Sequence, residues 1–173
     1  SFSVADNILI PADLEWSDGR VPEDLILFEK AGPRQKLFFD PAKARAAIVT
    51  CGGLCPGLNN VIRSVTRELF RGYGVTSVLG IRGGYRGLDP NRGKPPVELT
   101  ENIVEDIHKE GGTMLGTSRG PVDMTIAVEF LISKGINMLF TVGGDGTQRG
   151  GNALFEEARK RGHALAVVGI PKT

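Results

Sequence analysis

The group in this chain best suited to chemistry is an acid set between glycines. Gly143-Gly144-Asp145-Gly146-Thr147 follows the apolar run Ile136–Val142 (INMLFTV). A carboxylate there suits Mg²⁺, a hard cation that keeps waters and bridges to phosphate oxygens. The flanking glycines carry no Cβ, so a nucleotide phosphate can lie against their backbone N–H groups. Thr147 can add an N-cap hydroxyl or a hydrogen bond to phosphate. The plain alternative for Asp145 is a turn residue. Arg119 lies in Gly116-Thr117-Ser118-Arg119-Gly120. Its planar fork matches the oxygens of a transferring phosphoryl group, where charge stabilisation is the main catalytic term. Its alternative is a surface ion pair. Tyr85, in Gly83–Gly87 (GGYRG), can stack on a base or equally cover the sheet edge, with Arg82 and Arg86 beside it.

The common phosphate motifs are absent. There is no G-x-x-x-x-G-K-[ST], and Gly144-Asp145-Gly146 meets its next glycine only at Gly150. Cys51 and Cys55 are too few for a disulfide framework, and His108 and His163 are far from them in sequence, so a structural zinc site is not indicated. They read as buried thiols in a reducing compartment. With no basic-then-apolar leader, the location read from the sequence is cytoplasmic.

These residues need elements to hold them. Residues 1–44, with Pro11, Pro22, Pro33 and Pro41, read as an irregular N-terminal extension, and residues 45–173 as a regular domain. Strands are predicted at Arg45–Thr50, Val75–Ile81, Ile136–Val142 and Leu165–Ile170. Helices are predicted from Asn59 to about Arg71 and over Asn102–Lys109, Met124–Lys134 and Asn152–Arg161. In the first helix Val61, Val65 and Leu69 should be the buried face, with Arg63, Arg67 and Arg71 a solvated stripe. Gly111–Pro121 reads as a glycine-rich stretch around a very short strand, and Gly143–Gly151 as a loop. Alternating strand and helix with continuously apolar strands predicts an α/β fold. It would be three-layered: a mostly parallel sheet, helices on both faces and right-handed crossovers. The glycine loops 52–57, 82–87 and 143–146 all follow strands, so they would converge on the rim where such sheets bind ligands.

Composition narrows the class. The chain has 24 glycines in 173 residues, about twice the usual ~7%, without the period of collagen. Lys plus Arg number 21 and Asp plus Glu 20, so no global field recruits nucleic acid or an anionic membrane. No apolar run approaches the ~20 residues of a membrane span.

Taken in order, CGGLCPGLN (51–59), GGYRG (83–87), GGTMLGTSRGP (111–121), GGDGTQRG (143–150) and GIPKT (169–173) resemble the 6-phosphofructokinase family. The resemblance covers roughly residues 45–173. It is nearest to the branch of plant and trypanosomatid ATP-dependent enzymes, itself related to pyrophosphate-dependent ones. GGDGT by itself is shared with NAD and lipid kinases, which need neither CGGLCPG nor GGTMLGTSRGP.

The resemblance implies the nucleotide-binding half of an enzyme that transfers the ATP γ-phosphoryl to O1 of fructose 6-phosphate, with Mg²⁺. Gly53 would meet the nucleotide phosphates, Tyr85 would lie near adenine, and Arg119 with Gly120 would contact ATP. Gly144, Asp145, Gly146 and Thr147 would hold ATP, with Asp145 on the metal. Thr173 would begin the sugar-phosphate and catalytic loop.

It also implies a cytoplasmic homo-oligomer, a tetramer by the family's habit. Leu54 stands where many bacterial members carry an acid. The family's Ile-Asp-Asn-Asp continuation, which holds the general base, is not among these residues, so activity of this stretch alone is not expected. A nucleotide-sensing module without catalysis is the non-enzyme alternative. Gly146, where pyrophosphate users commonly carry Asp, favours ATP as donor. Lys172 is found in pyrophosphate users and in the plant and trypanosomatid ATP branch alike.

Overall fold

Arg45–Thr50 is extended because small and β-branched residues there are buried on both faces, as a central parallel strand demands. The computed structural model describes residues 3–13, 19 and 23–172. They fall in two compact units, Ser1–Asp40 and Pro41–Thr173.

The first unit is less irregular than its prolines suggest. Strand β1 (Leu9–Pro11) pairs antiparallel with β2 (Leu27–Glu29), Ile10 opposite Phe28. Arg34 donates to the carbonyls of Ala5 (2.9 Å) and Lys30 (2.6 Å).

The second unit is a five-stranded sheet. Its strands are β3 (Arg45–Thr50), β4 (Ser77–Ile81), β5 (Val97–Glu98), β6 (Met138–Gly143) and β7 (Ala166–Pro171). Their spatial order is β5-β4-β3-β6-β7, with only β4–β5 antiparallel. The helices are α1 (Leu58–Arg71), α2 (Glu101–Val104), α3 (Met124–Ser133) and α4 (Asp145–Lys160). The chain leaves β3 toward β4 and later returns to β6 on its other side. The order therefore reverses between β3 and β6, and the crevice beyond their carboxyl ends is where such sheets take ligands.

Period-two alternation sorts the core into two layers. Ala47, Val49, Leu79, Ile81 and Leu139 share one apolar cluster with Ala127, Val128 and Leu131 of α3 and Leu154 and Ala158 of α4. Ala46, Ile48 and Val78 are equally buried outside it, as are Leu58, Ile62 and Leu69 of α1, which cover the other face.

Several elements depart from the sequence reading. The buried stripe of α1 is Leu58, Ile62, Thr66 and Leu69, one residue off the predicted Val61/Val65 face. The arginine stripe is not simply solvated. Arg63 Nε donates to Glu105 O (3.0 Å) and Arg71 pairs with Glu101 of α2. That pair holds the Glu101 carboxyl below its usual range and raises the Arg71 guanidinium. The helix predicted over Asn102–Lys109 breaks into α2 and a 3₁₀ turn, Ile107–Lys109. No strand occurs among the described residues of 111–121. The longest miss is α4, which starts at Asp145, so most of the predicted loop 143–151 is helix.

Candidate functional site

The glycine turn after β3 is positioned by hydrogen bonds rather than by side-chain bulk. Gly52 N donates to Ser118 O (3.2 Å) and Thr117 Oγ1 donates to Gly52 O (2.6 Å). One turn earlier, Thr50 Oγ1 donates to Gly116 O (2.9 Å). Asn59, at the start of α1, donates to Glu110 O (3.1 Å) and accepts from Met114 N (2.8 Å). These bonds stitch the stretch 110–118 onto the end of β3 and so fix where Arg119 stands.

Two cations consequently converge on residues 52–53. A Cβ on Gly53 would lie 3.6 Å from Arg119 Nη2, and one on Gly52 would lie 3.8 Å from Lys172 Nζ. Arg119 comes from the loop before α3 and Lys172 from the end of β7, where its N–H donates to Gly143 O (3.0 Å). Neither cation has an ion-pair partner among the described residues. Two unpaired positive charges over bare backbone make an anion site.

The opposite wall is the N-terminus of α4. Its cap is Gly144, with no side-chain cap bond. Thr147 N and Gln148 N turn back to Gly144 O (2.8 and 3.1 Å), while the Asp145 and Gly146 N–H groups belong to the first turn that a helix leaves open. A Cβ on Gly146 would meet nothing within 4 Å, so the space beside it is vacant. Among the described residues the exposed Asp145 is the only carboxylate lining a cleft of about 770 Å³. This volume lies within the ~300–1,000 Å³ of small-molecule sites.

Gly53, Tyr85, Arg119, Gly120, Gly144, Asp145, Gly146, Thr147 and Lys172 all line that one cleft. Thr173 lies outside the described residues. Arg82 and Arg86 do not reach the cleft and line a neighbouring hollow.

Thr147 does a different job from the N-cap read in the sequence, and Tyr85 takes one of the two read for it. Thr147 is not the N-cap. It is 7% exposed, and a Cβ on Gly143 would collide with its hydroxyl, so it packs inward over the end of β6. Tyr85 is 8% exposed, and its hydroxyl donates to Thr147 O (2.7 Å). A Cβ on Gly150 would sit 2.5 Å from Tyr85 Cε2, so glycine there lets the ring seat against α4. Burial raises the phenol above its ordinary range. Of the two alternatives for Tyr85, packing is the one these contacts display.

Sequence reasoning missed two contributors. Cys51 lines the cleft wall, and burial pushes its thiol up to about 11, against the pull of the Tyr85 N–H, the Thr147 hydroxyl and Lys172. Gln148 Nε2 donates to Gly143 O (2.9 Å) and Ile170 O (3.3 Å), tying the ends of β6 and β7. No sequence signal marks it, because its partner Gly169, which has no room for a Cβ under the Gln148 amide, is brought to it only by the fold. No group of three or more His, Cys, Asp or Glu side chains suited to a metal cage exists among the described residues. The donor set therefore fits only a cation held by one carboxylate, waters and the ligand's own oxygens, as Mg²⁺ is commonly held.

A mostly parallel α/β domain with a cation-bearing cleft at its strand-order reversal defines the class: a doubly wound domain whose cleft suits an anionic ligand. The sequence model of the phosphofructokinase family matches residues 45–173, and the chain belongs to that family. It is 51% identical over 148 residues to the ATP-dependent 6-phosphofructokinase of Borreliella burgdorferi, covering 86% of this chain and 33% of that protein. It is 49% identical over 166 residues to ATP-dependent 6-phosphofructokinase 7 of Arabidopsis thaliana, covering 91% of this chain and 34% of that one. The chain thus spans about a third of the length of the curated relatives it matches. Its fold matches that of a pyrophosphate-dependent phosphofructokinase from Marinobacter aquaeolei at TM-score 0.67 and 18% identity, over 75% of this chain and 33% of that one. No helix among the described residues is long and apolar enough to cross a membrane.

Proposed function

We propose that this chain forms the nucleotide-binding part of an ATP-dependent 6-phosphofructokinase, which transfers the ATP γ-phosphoryl to O1 of fructose 6-phosphate in glycolysis. The observation that carries the reading is the convergence of Arg119 and Lys172 on the bare turn 52–53, opposite the open first turn of α4. Membership of the family and relatives named as ATP-dependent enzymes support it.

In this reading the backbone of Gly53 and of Gly144–Gly146 receives the phosphate chain. Arg119 opposes the charge that spreads over the transferring group's equatorial oxygens, the main catalytic contribution in phosphoryl transfer. Asp145 would hold Mg²⁺, which when bound neutralises phosphate charge. With one carboxylate in the cleft, already engaged on the metal, the group that accepts the sugar hydroxyl's proton comes from elsewhere, with Thr173 opening that segment. The functional enzyme is read as a cytoplasmic homo-oligomer, a tetramer, in which residues 1–44 are an extension to the 45–173 domain.

Lys172, whose amine lies over the turn 52–53, keeps a second reading open, pyrophosphate as donor, since it can hold phosphate charge and pyrophosphate users carry lysine there. Gly146 favours ATP: the space beside it can take an α-phosphate, and a carboxylate there would fill and repel it. In the full-length enzyme Gly146→Asp should lower kcat/KM for ATP about 10²-fold, since juxtaposed like charges cost several kcal/mol. Steady-state assays with ATP and with pyrophosphate check this. Unchanged ATP use removes the steric and charge argument, and faster turnover with pyrophosphate in the unsubstituted enzyme overturns the donor.

A further inference from the structure

A hollow of about 470 Å³, separate from the nucleotide cleft, is walled by Arg82, Arg86, Arg92 and Lys94 with no carboxylate among its lining residues. Several cations elsewhere in the chain are paired: Arg34, Arg71, Arg159 and Arg161 each sit in an ion pair. The side chains of Arg82, Arg92 and Lys94 have no ion pair or hydrogen bond among the described residues. Four uncompensated charges in one hollow of a chain with net charge +1 repel one another, a cost that a bound anion removes.

The loop that carries these cations is built, not loose. Arg86 Nε donates to Arg92 O (2.9 Å), Gly93 N donates to Asp89 O (2.7 Å), and Asn91 N donates to the Asp89 carboxylate (2.9 Å). A Cβ on Gly93 would lie 2.6 Å from Arg86 O, so only glycine lets the loop fold back on the 3₁₀ turn Gly84–Leu88. Asp89 lines a smaller adjoining hollow with Arg86 and Arg92; its Oδ1 accepts from Asn91 N, and it forms no ion pair with the four cations. The opposite wall is Thr113–Ser118, the stretch stitched to β3 that ends beside Arg119. Of these residues only Ser118 also lines the nucleotide cleft.

We infer that the Arg82–Arg86–Arg92–Lys94 hollow is a second anion site, taking a small molecule that carries two or more phosphate groups. Cations spread around a concave wall suit several phosphates better than one, because each can face its own oxygen set. This site does not depend on the nucleotide reading of the larger cleft.

Inorganic triphosphate is the probe, titrated calorimetrically into the full-length protein with the nucleotide cleft filled by magnesium and a non-hydrolysable ATP analogue. One further triphosphate should bind per chain. Replacing Arg82→Ser together with Lys94→Ser should weaken it at least about tenfold, and leave the analogue's affinity within about twofold. A control, Arg159→Ser with Lys160→Ser at the far end of α4, removes the same charge and should change triphosphate binding little. No binding with the cleft filled overturns the site, as does equal weakening by the control, which would mean general charge alone. If the double variant fails to fold, Lys94→Ser by itself should weaken binding about threefold, and an unchanged affinity overturns the site. Should the analogue not bind, the nucleotide reading fails, while the two variant pairs still decide this one.

Discussion

Cys51 shows how a residue in a charged cleft can be chemically quiet. Burial outweighs the neighbouring Lys172 amine, and the thiol is pushed up to about 11. Only the thiolate attacks an alkylating reagent, so a raised pKa moves reactivity to higher pH. Iodoacetamide labelling of Cys51, followed by mass spectrometry of its peptide, should still rise steeply in rate between about pH 10 and pH 11, where an ordinary thiol near ~8.5 has levelled off. A plateau by about pH 10 would mean the thiol is not shielded. Thr147 teaches the same lesson from the other direction. Its type and place suggested a capping hydroxyl, but the glycine at 143 let it turn inward and pack.

At the scale of elements, the four parallel strands were readable from their apolar runs, and β3 matches its predicted ends, whereas the two- and three-residue strands β1, β2 and β5 were too short to show a pattern. Helix α4 was misread for a physical reason. Gly146, Gly150 and Gly151 lower its intrinsic propensity, and tertiary contact overrides that cost. Tyr85 seats where Gly150 has no Cβ, and its hydroxyl holds Thr147 O. Likewise the buried face of α1 was off by one residue because Thr66, a polar side chain, takes a core position. Gly150→Ala should therefore destabilise the protein by about 1–3 kcal/mol, the usual cost of overpacking, although alanine is the better helix former. Urea unfolding followed by circular dichroism measures it. An alanine that stabilises would show that propensity, not the Tyr85 contact, governs this turn.

For the whole molecule, the site was legible as a set of loops and not as a geometry. The motifs gave Gly53, Arg119 and Asp145, and alternation of strand and helix put their loops on one rim. Nothing in the sequence said that Lys172 and Arg119 would meet over the same turn, because that contact depends on β7 lying beside β6 and on the bonds from Thr117 and Thr50. Arg119 is thus held by its loop while its guanidinium stays unpaired, which suits a group that must meet charge arising only during transfer. In the full-length enzyme Arg119→Ala should lower kcat on the order of 10²–10³-fold, the range for loss of one oriented charge-stabilising donor. Arg119→Lys should recover little, since a point charge cannot reproduce the fork. The KM for fructose 6-phosphate should be unchanged in both if, as proposed, the residue acts on the donor's phosphoryl. A loss confined to KM for ATP, with kcat intact, would reassign Arg119 to ground-state binding.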